Sequence, residues 1–206
     1  MGFYDKHILP RVINCACGTK PIRKQREKVV PGAQGTVLEI GIGTGLNLPY
    51  YDEQKVERLI GLDPSEESWH LAGQRAAHLD FDVEFIGLPG EQIPLEAQSV
   101  DTVLVTYALC TIPDPVAALQ GMGRVLRPGG KLIFCEHGRA PDPGVSKWQD
   151  RINPLWRRLF GGCNLQRDIP ALLDAGGFHV DHLEQAYLPS TPRFGGYNYW
   201  GSAQLA

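Results

Sequence analysis

The sequence of 206 residues contains nothing typical of a membrane-spanning or secreted chain. No run of about 20 apolar residues is present, which a helix needs to cross a bilayer. The first residues, MGFYDKHILPRV, contain no apolar stretch of about 7–15 residues behind a basic start, which a secretory signal peptide would have. We therefore expect a cytoplasmic protein.

Cysteine is scarce, and the count of five is odd, which argues against a disulfide framework and for reduced thiols. The close pair Cys15 and Cys17 has no further ligands at zinc-site spacing, so we expect no metal site. The net charge of −3 provides no overall attraction to nucleic acid. A local basic run at 20–28 fits a solvated helix face or an anionic surface, and peripheral membrane contact is not expected.

The composition is that of a globular protein, with 43% hydrophobic and 21% charged residues, and its length fits one domain over 1–206. Apolar and basic residues at 1–31 predict a helical segment. Beyond it, hydrophobic patterning predicts helices at 64–79, 114–126 and 168–178, and strands at 36–40, 57–63, 81–86, 99–107, 131–137, 179–188 and 197–205. This alternation indicates a mostly parallel sheet with helices on both faces.

The first predicted strand runs into a glycine-rich loop, Glu39-Ile40-Gly41-Ile42-Gly43-Thr44-Gly45-Leu46. A dinucleotide fingerprint G-x-G-x-x-G fails, because its last position is Leu46 when counted from Gly41 and Leu48 when counted from Gly43. A phosphate-binding Walker lysine is also absent. The carboxylate two residues before the glycines disfavours a pyrophosphate and favours a cationic ligand.

The second predicted strand ends at Asp63, which Pro64 follows. Asp63 lies about twenty residues beyond the glycine loop, where an acidic side chain binds a ribose diol in nucleotide-binding folds of this type. An aspartate before a proline is otherwise a turn residue. The spacing to the loop favours the ribose role.

Four motifs, VLEIGIGTGLNLPYY, GLDPS, GLPGEQIPLEAQSVDTVLVTYAL and RVLRPGGKLIFCEH, together resemble class I S-adenosylmethionine (SAM)-dependent methyltransferases over residues 35–140. The resemblance implies a Rossmann-like, seven-stranded, mostly parallel sheet with an N-terminal helical segment. It also implies that SAM is the cofactor. The cofactor-binding residues that it implies are Glu39, Gly41, Gly43 and Gly45 at the methionine end, Asp63 with Pro64 at the ribose, Gly90 and Glu91 at the adenine, and Thr106 on the methionine side. Pro89 departs from the acidic or small residue usual before Gly90.

The same resemblance divides the chain into a helical lid at 1–31, a SAM-binding half at 35–140 and an acceptor-side half at 141–206. SAM carries its own leaving group, so the protein mainly has to align the acceptor and exclude water. His137, at the predicted carboxyl end of the fifth strand, is the candidate general base; a structural histidine is the alternative. Its ordinary pKa near 6.5 suits a thiol or phenol acceptor better than an alcohol.

The stretch WQDRINPLWRRLFGGCNLQRD, residues 148–168, carries apolar residues at helical spacing from Trp148 to Phe160. Asn153 and Pro154 resemble an N-cap and a first helical position, so we expect two short helices. Such a stripe usually packs into a core. Its position after the fifth strand also allows its aromatic residues to form the acceptor pocket.

A narrower resemblance joins Glu136 and His137 to this stretch through Trp148-Gln149, Pro154-x-Trp156 and Phe160-x-Gly-Cys-Asn-Leu-x-Arg167. These motifs resemble methyltransferase-like thiol S-methyltransferases, membrane proteins that alkylate small thiols and hydrosulfide. The chain departs from them in lacking their hydrophobic N-terminal anchor. The substrate-side candidates are Tyr107, Cys110, Trp148, Gln149, Trp156, Cys163, Asn164 and Arg167.

The sequence therefore predicts a SAM-dependent methyltransferase whose acceptor is a small molecule, with a small thiol favoured. Looser resemblances to bacterial phospholipid N-methyltransferases and quinone C-methyltransferases keep an amine, lipid, quinone or phenol acceptor open. A SAM-binding regulator without an acceptor is a further alternative.

Overall fold

A computed structural model describes residues 14–206, so residues 1–13 of the predicted lid lie outside the described residues. Residues 14–17 are helical, and the first complete helix, α1, spans Lys20–Val29. Pro21 lies in the first turn of α1, where a missing amide hydrogen costs nothing.

Seven strands form one sheet with the order β3-β2-β1-β4-β5-β7-β6. The strands from β3 to β5 are parallel, whereas β7 pairs antiparallel with both β5 and β6. Their bounds are Gly35–Ile40 (β1), Val56–Leu62 (β2), Asp82–Ile86 (β3), Val100–Thr106 (β4), Leu126–His137 (β5), Phe178–Tyr187 (β6) and Tyr197–Leu205 (β7). The predicted seven-stranded, mostly parallel sheet is confirmed.

Five helices follow α1: Glu66–Ala76 (α2), Pro115–Val125 (α3), Pro143–Leu159 (α4), Ile169–Ala175 (α5) and Arg193–Gly196 (α6). Side chains cap three of them, since Ser65, Asp114 and Asp168 each accept a hydrogen bond from an amide in the first turn.

The core lies on both faces of the central strands, whose β-branched and aliphatic residues are fully buried. Val103 and Phe134 belong to one hydrophobic cluster, and Leu104 and Cys135 belong to the cluster on the opposite face. Burial on both faces explains the nearly continuous apolar runs of β4 and β5, as in other parallel sheets. It also places Cys135 in the core, as expected.

Two local predictions were wrong. The stretch after β5 forms the single helix α4 of 17 residues, which continues through Pro154 instead of restarting there. Asn153 is not a cap, because its side-chain oxygen accepts a hydrogen bond from the Leu165 amide instead. Residues 127–130 form an irregularity within β5, where the register with β4 shifts and Gly129 adopts a φ of +79°.

The apolar stripe of α4 is also only partly buried, which corrects the expectation that it packs into the core. Trp148, Leu155 and Leu159 are 51%, 63% and 46% exposed. The buried positions of α4 are the polar residues Gln149 and Asn153. Within residues 14–206, no helix has the length and apolar character that crossing a bilayer requires.

Candidate active site

The candidate site lies at the carboxyl ends of β1, β2, β4 and β5, where ligands bind in open α/β sheets. The glycine loop follows β1, and Asp63 directly follows β2. Thr106 ends β4 and His137 ends β5. Parallel pairing thus brings together predicted residues that are far apart in the sequence.

The three loop glycines have positive φ angles, +71° at Gly41, +51° at Gly43 and +75° at Gly45. They differ in what surrounds them. A Cβ on Gly41 would lie 2.5 Å from Ala108 Cβ, and one on Gly45 would lie 2.6 Å from a Leu48 methyl. A Cβ on Gly43 would meet no heavy atom closer than 3.9 Å. Gly41 and Gly45 are therefore required by packing, whereas Gly43 borders an open cradle.

Asp63 closes one side of this cradle. Its carboxylate accepts hydrogen bonds from the Gly43 amide at 3.0 Å and from the Ser65 amide at 2.8 Å. Burial raises the pKa of Asp63, and these two amides oppose the shift. The side chain is half-buried, and each carboxylate oxygen keeps a second lone pair that can accept a hydrogen bond from a ligand hydroxyl.

Glu39 is buried beneath the loop. Its two carboxylate oxygens accept hydrogen bonds from Asn47 at 2.8 Å and from the Tyr51 hydroxyl at 2.6 Å. Burial raises the pKa of Glu39 above its ordinary value despite these donors. The carboxylate therefore anchors the segment that follows the glycines.

Arg26 of α1 was missed by the sequence reasoning, which interpreted the basic run as a solvated helix face or an anionic-surface contact and assigned no site role to any of its residues. Its guanidinium donates to Asn47 at 2.5 Å and to the Thr106 hydroxyl at 2.7 Å. It also lies 5.2 Å from the centroid of the Tyr107 ring. Its Nε is buried and meets no acceptor among the described residues. A sequence signal that could have identified Arg26 is its position on the face of the predicted helix that also carries the apolar Val29.

A cavity of about 160 Å³ lies between α1 and the glycine loop. Three arginines, Arg23, Arg26 and Arg75, contribute to its lining together with Gly45. Such a concentration of cationic donors favours an anionic group. The arginines that line this cavity and the Asp63 carboxylate both lie next to the glycine loop.

The predicted adenine-side residues lie after β3. Gly90 is buried, and a Cβ there would lie 2.9 Å from an Ile112 methyl, so packing requires glycine. Glu91 accepts a hydrogen bond from the Asp114 amide at 3.1 Å and thereby ties this loop to the start of α3.

Tyr107 follows β4 in a conformation that is rare for a non-glycine residue, with a φ of +54°. Its amide donates to the Cys135 carbonyl at 2.9 Å, and its hydroxyl donates to Asn198 of β7 at 2.8 Å. These contacts to β5 and β7 hold the backbone in this strained form, which is common at functional sites.

Glu136 is completely buried next to this turn. One carboxylate oxygen accepts from the amides of Ala108 at 2.7 Å and Leu109 at 3.0 Å, and the other has no partner among the described residues. Burial raises the pKa of Glu136 to about 7, against the effect of the two amides. The carboxylate holds the loop after β4 in place.

His137, Cys110 and Cys163 come together beyond the carboxyl ends of β4 and β5. Nε2 of His137 lies 3.3 Å from the Cys163 sulfur, and the reactive atoms of all three residues lie within 4.8 Å of one another. Burial alone would lower the pKa of His137, but the adjacent Cys163 sulfur raises it above its ordinary value. The Cys110 thiol and His137 lower the pKa of Cys163.

Trp156 borders the site, whereas Trp148 does not. The Trp156 ring stacks on Phe160 with centroids 3.9 Å apart and meets the Phe194 ring edge-on at 5.7 Å. The exposed Trp148 lines a surface groove with Lys147 and other residues of α4.

Three further substrate-side candidates bind the backbone. Gln149 accepts from the Ala140 amide and donates to the carbonyls of residues 138 and 194. Arg167 donates to the Leu109 and Ile112 carbonyls. Asn164 accepts from the Gln166 amide. In the structure these side chains hold the loops that surround the acceptor side, and Arg167 uses two of its donors to do so.

Comparisons with known proteins show which proteins this chain resembles. A family model described as a methyltransferase domain matches residues 38–134. The chain is 33% identical over 162 residues to thiol S-methyltransferase TMT1A of Homo sapiens, a match that covers 77% of this chain and 66% of that protein. It is 27% identical over 117 residues to a phosphatidylethanolamine N-methyltransferase of Cereibacter sphaeroides, covering 56% of this chain and 57% of that protein. The match thus spans about two thirds or less of these relatives' lengths.

The fold has close counterparts among solved structures. A SAM-dependent methyltransferase from Thermotoga maritima superimposes with a TM-score of 0.68 and covers 97% of this chain and 98% of its own. The sequence identity is 21%, so this likeness concerns the fold.

Proposed function

Because the chain belongs to the class I SAM-dependent methyltransferases, we propose that it transfers the methyl group of SAM to the sulfur of a small thiol. The proposal for the acceptor draws on the similarity to human thiol S-methyltransferase and on the sulfur- and imidazole-lined acceptor side. The observation that carries it is the distance of 3.3 Å between His137 Nε2 and the Cys163 sulfur. Because Nε2 of His137 contacts one sulfur atom at this distance, the same nitrogen can contact the sulfur of a substrate thiol.

For the cofactor, we assign the ribose hydroxyls to Asp63 and the methionine carboxylate to Arg26. The glycine loop fits against the methionine part, with the cradle at Gly43 open to it. When bound, SAM supplies an electrophilic methyl group on a positively charged sulfur. The protein then has to orient the acceptor and accept its proton.

In the proposed reaction, His137 accepts the proton of the acceptor thiol at Nε2 after Cys163 has given up its contact with that nitrogen. The acceptor sulfur forms the new bond to the methyl carbon, and the bond from that carbon to the sulfonium sulfur breaks. The products are a methyl thioether and S-adenosylhomocysteine, and the proton leaves through His137. Only neutral His137 can act as the base.

The test of this function is SAM turnover with a panel of alkyl, aryl and inorganic thiols, measured as S-adenosylhomocysteine formed. We expect turnover to require an added thiol and to rise with pH, because both His137 and the acceptor must lose a proton. Phenols, amines and phospholipids serve as competing acceptors in the same assay. Turnover with these and none with any thiol would refute the thiol assignment.

The base role predicts that His137→Gln lowers the rate about 100-fold near pH 7, as expected for loss of a general base. The deficit should shrink at pH values above the acceptor pKa, since the thiolate then forms without a base. His182→Gln, which removes a largely exposed histidine of β6, is the matched control and should retain full activity. A deficit that stays constant with pH would contradict the role.

One observation favours a second candidate, methylation of a lipid amine. The outer face of α4 presents exposed apolar residues together with basic ones, namely Lys147, Trp148, Arg151, Leu155, Arg158 and Leu159. A face of this kind suits an anionic membrane surface. Turnover on phosphatidylethanolamine vesicles that exceeds turnover on thiols, and that falls in high salt, would favour this candidate.

A further inference from the structure

The cluster of Cys110, His137 and Cys163 draws one residue from each of three separate segments. Cys110 lies in the turn after β4, His137 ends β5, and Cys163 lies in the loop after α4. Their sulfur and nitrogen atoms lie within 4.8 Å of one another, and the pair of His137 and Cys163 is 3.3 Å apart. Two sulfurs and one imidazole are the donors that soft metal ions prefer.

The separations are close to those of a tetrahedral zinc site. Bond lengths of about 2.3 Å to sulfur and 2.0–2.1 Å to nitrogen place two sulfurs about 3.8 Å apart and a sulfur and a nitrogen about 3.5 Å apart. Because all three atoms lie within 4.8 Å of one another, no separation has to shorten by more than about 1.3 Å to reach this geometry. The three protein ligands leave one coordination position open, as in catalytic zinc sites.

The backbone already holds the two cysteine-bearing segments together. The Asn164 amide donates to the Cys110 carbonyl at 2.9 Å. Arg167, four residues after Cys163, donates to the carbonyls of Leu109 and Ile112 on either side of Cys110. The thiols are therefore brought together by contacts that do not involve the sulfur atoms, as a preformed site requires.

Unpartnered buried polar atoms surround the cluster. Nδ1 of His137 and one carboxylate oxygen of Glu136 have no hydrogen-bond partner among the described residues. A buried polar atom without a partner carries a cost, which a bound ion with its accompanying solvent can relieve. The carboxyl group of Glu136 is close enough to interact electrostatically with His137.

We propose that Cys110, His137 and Cys163 bind one Zn²⁺ ion on the acceptor side of the sheet. Binding displaces the two thiol protons to solvent and changes no oxidation state. The ion occupies Nε2 of His137, the same atom that the proposed function uses as the base. Given that function, the zinc-bound protein lacks its general base, so zinc lowers the rate of thiol methylation near neutral pH.

The test is a titration of the reduced, chelator-treated full chain with Co²⁺, without SAM or acceptor. We expect saturation at one equivalent, with visible bands of tetrahedral cobalt and a sulfur-to-cobalt absorption in the near ultraviolet, and displacement by Zn²⁺. Cys110→Ser and Cys163→Ser should each weaken Zn²⁺ binding by about 100-fold or more. Loss of a residue that only hydrogen-bonds to a metal ligand already costs about 10- to 100-fold, and loss of a ligand itself should cost at least as much. Cys15→Ser, which removes an exposed thiol, is the matched control and should bind normally.

Circular dichroism and SAM binding confirm that each variant is folded. Three results would overturn the proposal. They are the spectrum of octahedral cobalt, cobalt binding beyond one equivalent without a sulfur-to-cobalt band, and an unchanged Zn²⁺ affinity in both cysteine variants. A Cys110–Cys163 disulfide under oxidising conditions, without metal binding in the reduced protein, would also overturn it. Because the titration contains no acceptor, its result is independent of whether the protein methylates thiols.

Discussion

At the scale of single residues, the glycine loop shows that identical residues serve different purposes. Gly41 and Gly45 avoid clashes with Ala108 and Leu48, whereas Gly43 borders open space next to Asp63. All three adopt positive φ angles, but only at Gly43 would a methyl group project toward the proposed cofactor. Substitutions at the three positions therefore have different consequences.

We predict that Gly43→Ala weakens SAM binding at least about tenfold while the protein stays folded, because the left-handed backbone costs about 1–2 kcal/mol and the methyl group fills the cradle. Gly73→Ala is the control, since Gly73 lies in α2 with no atom within 4 Å of its added Cβ. It should stabilise the helix by about 0.5–1 kcal/mol and leave the SAM affinity unchanged. Calorimetric titration measures the SAM affinity of each variant, and thermal unfolding measures its stability. Equal SAM affinities of the Gly43 and Gly73 variants would contradict the proposal that Gly43 borders the SAM site.

The buried carboxylate of Glu136 predicts a dependence of stability on pH. Burial raises its pKa in the folded protein from 4.5 to about 7, so the folded state binds the proton more tightly than the unfolded state. The contribution to stability is fully present below pH 4.5 and is lost as the pH rises through about 7. The loss amounts to roughly 3 kcal/mol.

Glu136→Gln keeps an oxygen that can accept from the Ala108 and Leu109 amides but cannot ionise. We expect the unfolding free energy of this variant, relative to that of the unaltered protein, to rise between pH 4.5 and 7 and to level off above. Urea unfolding at several pH values measures it. A difference that does not change with pH would show that Glu136 titrates normally.

Several of these residues could be predicted from the sequence, and others could not. The glycines and Asp63 follow strands at a fixed spacing, so a local pattern predicts their place at the carboxyl ends of the sheet. No local pattern identifies Arg26. The other basic residues of α1 are exposed, and Arg26 alone among the basic residues of this helix is buried. The association of Cys110 with Cys163 depends on three segments meeting in space, which no spacing encodes.

At the scale of elements, α4 shows how periodicity can mislead. Its apolar residues recur at helical spacing, yet its two fully buried positions are polar, because the backbone loops beneath them need hydrogen-bond partners. Gln149 satisfies an amide of residue 140 and carbonyls of residues 138 and 194, and Asn153 satisfies the Leu165 amide. Pattern analysis identifies helical structure in this stretch, but it wrongly divides the helix at Pro154 and does not identify the polar residues as the buried ones.

We therefore predict that Gln149→Ala destabilises the protein by about 2–4 kcal/mol, since it leaves buried backbone groups without partners. Leu155→Ala on the same helix should change the unfolding free energy by no more than about 0.5 kcal/mol, because that side chain is 63% exposed. Chemical unfolding of both variants measures the contrast. A larger effect at Leu155 would show that the exposed face is covered by another part of the chain or by a second molecule.

Helix α1 contributes through one side chain, which yields a prediction for the cofactor. Arg26→Gln should weaken SAM binding, because the proposed carboxylate partner is lost; a charge-assisted hydrogen bond is worth about 1.5–3 kcal/mol, or roughly 10- to 100-fold in affinity. Lys24→Gln removes the same charge from an exposed position of α1 and serves as the control. If both variants lost affinity equally, the effect would be one of net charge and not of the Arg26 contact.

At the scale of the whole molecule, the fold is the part best predicted from the sequence. Alternating strand and helix patterns identify the parallel strands, because each strand is a short apolar run bounded by turns. The position of the last two strands is harder to predict from the sequence, because the antiparallel insertion of β7 between β5 and β6 depends on packing between distant segments. Yet this insertion shapes the acceptor side, where Asn198 of β7 receives the Tyr107 hydroxyl.

The same insertion has a consequence for how the protein is made. During synthesis, β5 and β6 leave the ribosome before β7, so the edge of β5 and the inner edge of β6 remain unpaired until residues 197–205 are available. Unpaired strand edges promote association between chains. A nascent chain halted before residue 197 would contain the proposed cofactor contacts, but it would expose an aggregation-prone strand edge. It would also lack Asn198, which accepts the hydrogen bond of the Tyr107 hydroxyl. The candidate active site is thus completed only after β7 has been translated.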